Sequence, residues 1–313
     1  MMGKKTFAGL AYIEVITAGV LWGCMGLFVR NLNTLGLATM GIVAIRCIIT
    51  CFLVFLYLVV FKRSLLKIRI KDIWCFLGTG FCSILFFNFC YFKSMTLTSL
   101  SIAAILLYTS PAFIMVMSLF LFKEKFNRYK IIALIMTFAG CILVSGVMNS
   151  VISGEGLAIT PKALLLGLGA GFGYALYSIF SRFAIERGYE SLTITFYTFL
   201  FASVGSLLFT DLPKLTNVFT GSVKGFLLCA GIAVFGTLIP YITYTAGLKG
   251  MDNGRASVVV SIEPAVATVV SFVVYKENPG VWGMIGILLV LGAVIIVNMS
   301  AAIGKPVSNG NRS

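Results

Sequence analysis

The chain has 313 residues, of which 59% are hydrophobic and only 11% charged. Soluble domains are about 45–50% apolar and about 25% charged, so this composition excludes a soluble globular fold and leaves no room for a fused ATPase or a periplasmic binding module. The formal charge of +14 would suggest nucleic acid in a soluble protein, but here most cations sit in short loops between apolar runs, where they orient spans; no nucleic-acid partner is expected.

At about 30 residues per span and loop, a chain of this length crosses a bilayer roughly ten times. Ten weakly charged runs predict helices at Ala8–Val29, Ala38–Phe61, Ile73–Phe92, Leu100–Phe122, Tyr129–Val147, Ala163–Ser181, Ser191–Thr210, Gly225–Leu248, Ala256–Tyr275 and Val281–Met299. Each is long enough to cross ~30 Å at ~1.5 Å per residue. The first run is too long for a signal peptide and lacks a small-x-small cleavage site, so it reads as an uncleaved span. The longest connection, Met148–Lys162, is rich in Ser and Gly and reads as a linker between residues 8–147 and 163–299, five helices each. With a cytoplasmic amino terminus, 17 cations fall inside and six outside, Arg46 being intramembrane. That split favours both termini in the cytoplasm.

The halves repeat. An offset of 153 pairs Tyr91, Pro111 and Glu124 with Tyr244, Pro264 and Glu277, and an offset of 152 pairs Gly19, Trp22 and Arg30 with Gly171, Tyr174 and Arg182. An odd number of spans per copy inverts the second copy. Inverted repeats place a substrate site near the midplane of a transporter.

Leu21-Trp22-Gly23, Arg46, Pro111 with Lys123-Glu124-Lys125, and Glu263-Pro264 with Lys276-Glu277 together resemble the EamA group of the drug/metabolite transporter superfamily. The resemblance runs from about residue 8 to 298. It implies an all-α membrane protein of ten transmembrane helices in two inverted five-helix repeats. Its central cavity would be lined by the third, fourth, eighth and ninth spans with the first and sixth, and the fifth and tenth would pack peripherally. Glu14 in the first span, and Ser110 where the second half has Glu263, depart from that pattern.

Glu14, Arg46 and Glu263 are the ionisable residues well inside spans, and such residues are functional candidates because charge in lipid is costly. Glu263 could exchange a proton as a cavity opens, bind a cationic group, or make a fixed hydrogen bond to a neighbouring span beside the Pro264 kink. Glu14 could do the same or snorkel to the surface. Arg46 could meet a substrate carboxylate or cap carbonyls of a neighbouring helix. Pro111, Pro240 and Pro264 lie mid-span and free the carbonyls of Leu107, Gly236 and Val260, so each marks a hinge or a static kink. A polar and aromatic stripe of Asn88, Tyr91, Tyr108, Ser110, Thr237, Tyr241, Tyr244, Thr245, Ser257 and Ser261, with Trp22, Tyr174 and Tyr177, predicts a lumen or interhelical packing through hydroxyls. Glycines at 167, 169, 171 and 173, and at 283, 286 and 292, favour close helix contact within a monomer or across a homodimer. The loop groups Lys123-Glu124-Lys125 and Lys276-Glu277 read as solvated anchors that could help gate.

The chain has eight cysteines but no histidine and no CxxC pair, which rules out a Cys/His zinc site; no metal or cofactor is expected. No phosphate loop is present: Gly304-Lys305 is followed by Pro306. The leading expectation is therefore a secondary carrier in the cell membrane, exporting small amino-acid-like or amphipathic metabolites, with a proton as the possible coupling ion. The alternatives are an uptake carrier for a quaternary amine or a sugar-type solute, then a channel or a membrane enzyme.

Overall fold

The computed structural model describes residues 2–125, 127–152, 154 and 160–303. Part of the expected linker, and the cations Lys305 and Arg312, lie outside the described residues. Helices account for nearly all of this chain, and no strand occurs among the described residues. Backbone polar groups in lipid must be satisfied within their own segment, which selects helices.

In chain order the long helices are α1 (Gly9–Thr34), α2 (Thr39–Phe61), α3 (Ile70–Leu97), α4 (Leu100–Phe122), α5 (Arg128–Val144), α6 (Pro161–Glu186), α7 (Ser191–Leu207), α8 (Val223–Gly250), α9 (Asn253–Tyr275) and α10 (Gly280–Ile303). Among the described residues, eight of these are long and apolar enough to span a bilayer, and α7 with the short helix after it forms a ninth, bent candidate. α5 has 17 residues and lies along α10.

Several helices depart from the sequence expectation. α3 starts three residues earlier than predicted and α9 starts at Asn253, because Asp252 caps it. α7 stops at Leu207, and the chain bends by 119° into Leu212–Thr220. Asp211 caps that short helix by accepting the Lys214 N–H at 3.2 Å, with Pro213 just inside its start. Proline fits there because its missing N–H is not needed in the first turn.

The prolines act unequally. α4 is broken between Leu107 and Ser110, so that Pro111 starts a new helical segment, Ser110–Phe122. α9 is broken between Val260 and Glu263, and Pro264 starts Glu263–Tyr275. These are breaks rather than kinks. At Pro240 the helix continues: the preceding turn, Val234–Leu238, widens into a π-helix. α3 carries a matching π-helical stretch, Gly78–Leu85, without any proline. Inserted π turns are one way a helix absorbs a lost backbone bond.

The breaks lie against helices that approach closely through glycine. A Cβ on Gly19 of α1 would stand 2.9 Å from the Val260 carbonyl oxygen, and one on Gly171 of α6 would stand 2.9 Å from that of Leu106. The glycines of α6 also face α3, and Gly286 of α10 meets the Gly140 carbonyl of α5, so these small residues serve packing inside the chain. Five of the eight cysteines are buried, whereas Cys82 is exposed.

Candidate functional site

The two breaks face one another across the middle of the molecule. Between them lies a narrow cleft lined by Leu107, Tyr108, Ser110, Pro111 and Ile114 of α4, Tyr174 of α6, and Ser257, Val260, Ser261 and Glu263 of α9. It leaves about 10 Å³ for the centre of a water molecule, room for about one water. Ser110 and Glu263 each open the second segment of their helix, where the helix dipole favours negative charge. Among the described residues the Glu263 carboxylate has one long hydrogen bond, from the Tyr174 hydroxyl at 3.4 Å. Ser261 and Ser257 spend their hydroxyls within α9, on the carbonyls of Ser257 and Gly254. Glu263 is thus the polar group of the cleft with most bonding capacity to spare.

An aromatic wall continues from the cleft. The Trp22 ring contacts Tyr241 at 5.0 Å, Tyr244 at 5.5 Å and Tyr174 at 6.3 Å between centroids. Tyr241 also packs edge-on against Tyr177 and Phe199. Tyr244 bonds Ser178 at 2.7 Å, and Tyr177 bonds Thr245 at 2.8 Å. These hydroxyls glue α8 to α6, so Tyr244 and Thr245 stand behind the cleft rather than in it. Tyr91 packs with Phe87 at 6.0 Å, outside the lining. Ser178 carries no signal in the sequence beyond its place on a glycine-rich helix, whereas Tyr174 already stands with Trp22 and Tyr177 in the aromatic stripe.

The other intramembrane charges lie elsewhere. Arg46 is buried in α2, and its guanidinium donates to the Met25 sulfur at 3.3 Å and to Asn88 Oδ1 at 3.4 Å, rather than to the backbone carbonyls expected. Asn88 in turn donates to the Ile84 carbonyl of the π-helical stretch. Glu14 lines a separate vestibule of about 560 Å³ at one face, with Lys62, Glu190 and Lys249 among its walls. There Lys249 and Glu190 pair with each other.

Two charged clusters flank the helix ends. Glu124, expected to be a solvated anchor, is folded under the start of α9: its carboxylate accepts the N–H groups of Asn253 at 2.8 Å and Gly254 at 3.2 Å. Asp252 pairs with buried Lys130 at 2.7 Å. Burial, then the neighbouring Asp252 carboxylate, pushes the Glu124 carboxyl up. Burial alone would raise Asp252 too, but Lys130 and Arg255 outweigh it and hold the group below the usual range. At the far end of α9, Glu277 takes two hydrogen bonds from Arg30, at 2.7 and 3.1 Å, and these with the Ser271 hydroxyl hold its carboxyl at about 2.

The EamA-like transporter family matches residues 9–146 and again 161–299. The chain belongs to the EamA-like transporter family. An uncharacterized transporter, YxxF, of Bacillus subtilis (strain 168) is 25% identical over 290 residues, covering 91% of this chain and 88% of that protein. An uncharacterized transporter of Archaeoglobus fulgidus is 24% identical over 291 residues, 90% and 94% of the two chains. A protein crystal structure shares the fold, with a TM-score of 0.75 at 18% identity, over 94% of this chain and 98% of that one. This EamA-like chain is therefore a multi-pass membrane transporter, and its bilayer setting and small-molecule cargo follow from the family.

Proposed function

We propose that this protein is a secondary carrier that exports small organic solutes, amino-acid-like or amphipathic, by alternating access. In this reading ten helices span the cell membrane with both termini in the cytoplasm. Residues 8–147 and 163–299 form two five-helix repeats of opposite orientation, joined by 148–162. α5, at ~25 Å for its length, is counted as a span because it runs along α10. Leu212–Thr220, mostly exposed with Leu215 tucked into the core, is counted as a surface helix.

The observation that carries the reading is the central cleft. It is made where two helices of separate halves break at paired positions, and it encloses a carboxylate with a single long hydrogen bond. Discontinuous helices at the midplane are how carriers build a site that either face can reach. Glu263 suits an amine or a transported proton, and the rings of Trp22, Tyr108, Tyr174 and Tyr241 suit an apolar or cationic side group. The cleft is too tight for an open pore.

The test is uptake and counterflow of radiolabelled amino acids and aromatic amines in proteoliposomes, with and without a pH gradient. Glu263→Gln is expected to abolish gradient-driven accumulation while retaining counterflow exchange. Unchanged accumulation removes Glu263 from coupling, and product formation in detergent, without two compartments, would point to an enzyme.

A further inference from the structure

The contacts that tie the helix ends together at one face have repeat-related counterparts, arranged differently, at the other. Lys123 ends α4 in a left-handed conformation, φ 55°, and turns Glu124 onto the first two N–H groups of α9. Asp252 caps the third position there, accepting the Arg255 N–H at 2.9 Å. Arg182 of α6 completes the closure, donating to Asn253 Oδ1 at 2.9 Å and to the Met251 carbonyl. The end of α4, the start of α5, α6 and the start of α9 are thereby pinned together.

Lys276, 153 residues after Lys123, ends α9 in the same left-handed conformation, φ 59°. Ser99, 153 before Asp252, caps α4 by accepting the Ile102 N–H at 3.2 Å. The N–H groups of Leu100 and Ser101 correspond to those that Glu124 occupies on α9, and no side chain among the described residues caps them. First-turn N–H groups of a helix lack partners within it and attract anions. Glu277 does not reach them: it is held by Arg30 and Ser271. Arg30 stands 152 residues before Arg182, so each acid has a related arginine near it.

We propose that Glu277 is the gate carboxylate of the second face: in the alternate conformation it leaves Arg30 and docks on the N–H groups of Leu100 and Ser101, as Glu124 releases Asn253 and Gly254. This rests on the alternating-access reading above. The two gates are unequal. Lys130 and Asp252 of the first correspond to Gly283 and Ser99 of the second, which removes an ion pair, so the equilibrium favours the state in which the first face is closed.

The test uses the full chain in proteoliposomes, in a cysteine-free background, with spin labels at Lys125 and Lys249 for the first face and at Thr96 and Asn278 for the second. Pulsed dipolar distances then give the populations of the two states. Glu124→Gln is expected to move the ratio about tenfold toward an open first face, the scale of one lost charge-assisted hydrogen bond. Glu277→Gln is expected to move it about as far the other way, and Arg30→Gln to favour the closed second face. Leu100→Pro is a second probe of the dock. Proline fits the first helical position, and Ser99 before it is already extended, so the substitution removes only the N–H; it should mimic Glu277→Gln. If Glu124→Gln shifts the ratio while Glu277→Gln and Leu100→Pro leave it unchanged, Glu277 is no gate and the proposal is overturned. If neither face changes its distances in any variant, alternating access itself fails.

Discussion

Arg46 is buried in α2 with a guanidinium whose partners are a thioether and the side-chain oxygen of Asn88. A guanidinium carries five N–H donors, so this charge is thinly compensated, and a hydrogen bond to a charged group is worth about 1.5–3 kcal/mol. Asn88→Leu should lower stability by about that amount, measured as the thermal unfolding midpoint in detergent. Arg46→Met with Asn88→Leu should cost less than the two single changes summed, since residues in one network are coupled; simple additivity would mean the two side chains act independently. The sequence placed Arg46 inside a span and left its partner open, since spacing along one helix says nothing of which neighbour faces it. Likewise Glu124 reads as a solvated anchor, and only the folding of α4's end under α9 reveals it as a half-buried partner of the Asn253 and Gly254 N–H groups.

The helix breaks were legible as prolines, and the structure sharpens them. Pro111 and Pro264 start new helical segments because each stands in a first turn, where no backbone donor is missed. The π-helical stretch in α3 had no such signal: Gly78–Leu85 contains no proline, and it lies packed against α6 and α7. The bend after Leu207 was written in Asp211 and Pro213, a capping residue and a first-turn proline, yet the apolar run masked it. The glycines facing the breaks make a direct prediction. Gly19→Ala would set a Cβ 2.9 Å from the Val260 carbonyl and 2.7 Å from the Ile262 side chain. Overpacking of this kind costs roughly 1–3 kcal/mol, so the unfolding midpoint should fall. Gly9→Ala is the control, since nothing lies within 4 Å of its added carbon. Equal effects from both would mean that α1 does not press on the break of α9.

Across the whole molecule, composition disclosed the membrane setting and the residue pattern disclosed the family, because both depend on sums over many positions. The cargo did not emerge in the same way: in the proposed reading it depends on the shape of one cleft, lined by a few side chains from three helices. Glu263 is legible because an acid in lipid stands out; Tyr174, its only hydrogen-bond donor among the described residues, is legible as an aromatic of the stripe, but nothing in the sequence pairs it with Glu263.

The placing of Trp22 has an optical consequence. Of the three tryptophans, Trp22 is 8% exposed beside the cleft, whereas Trp74 and Trp282 are each 37% exposed on the outer surface. Replacing those two by phenylalanine leaves a single indole at the heart of the molecule. Its fluorescence should shift to longer wavelength when water enters, so Glu124→Gln on that background should emit redder than its parent. An identical spectrum would mean that the aromatic wall stays dry when the first face loosens. The protein thus carries a native dye beside the central cleft.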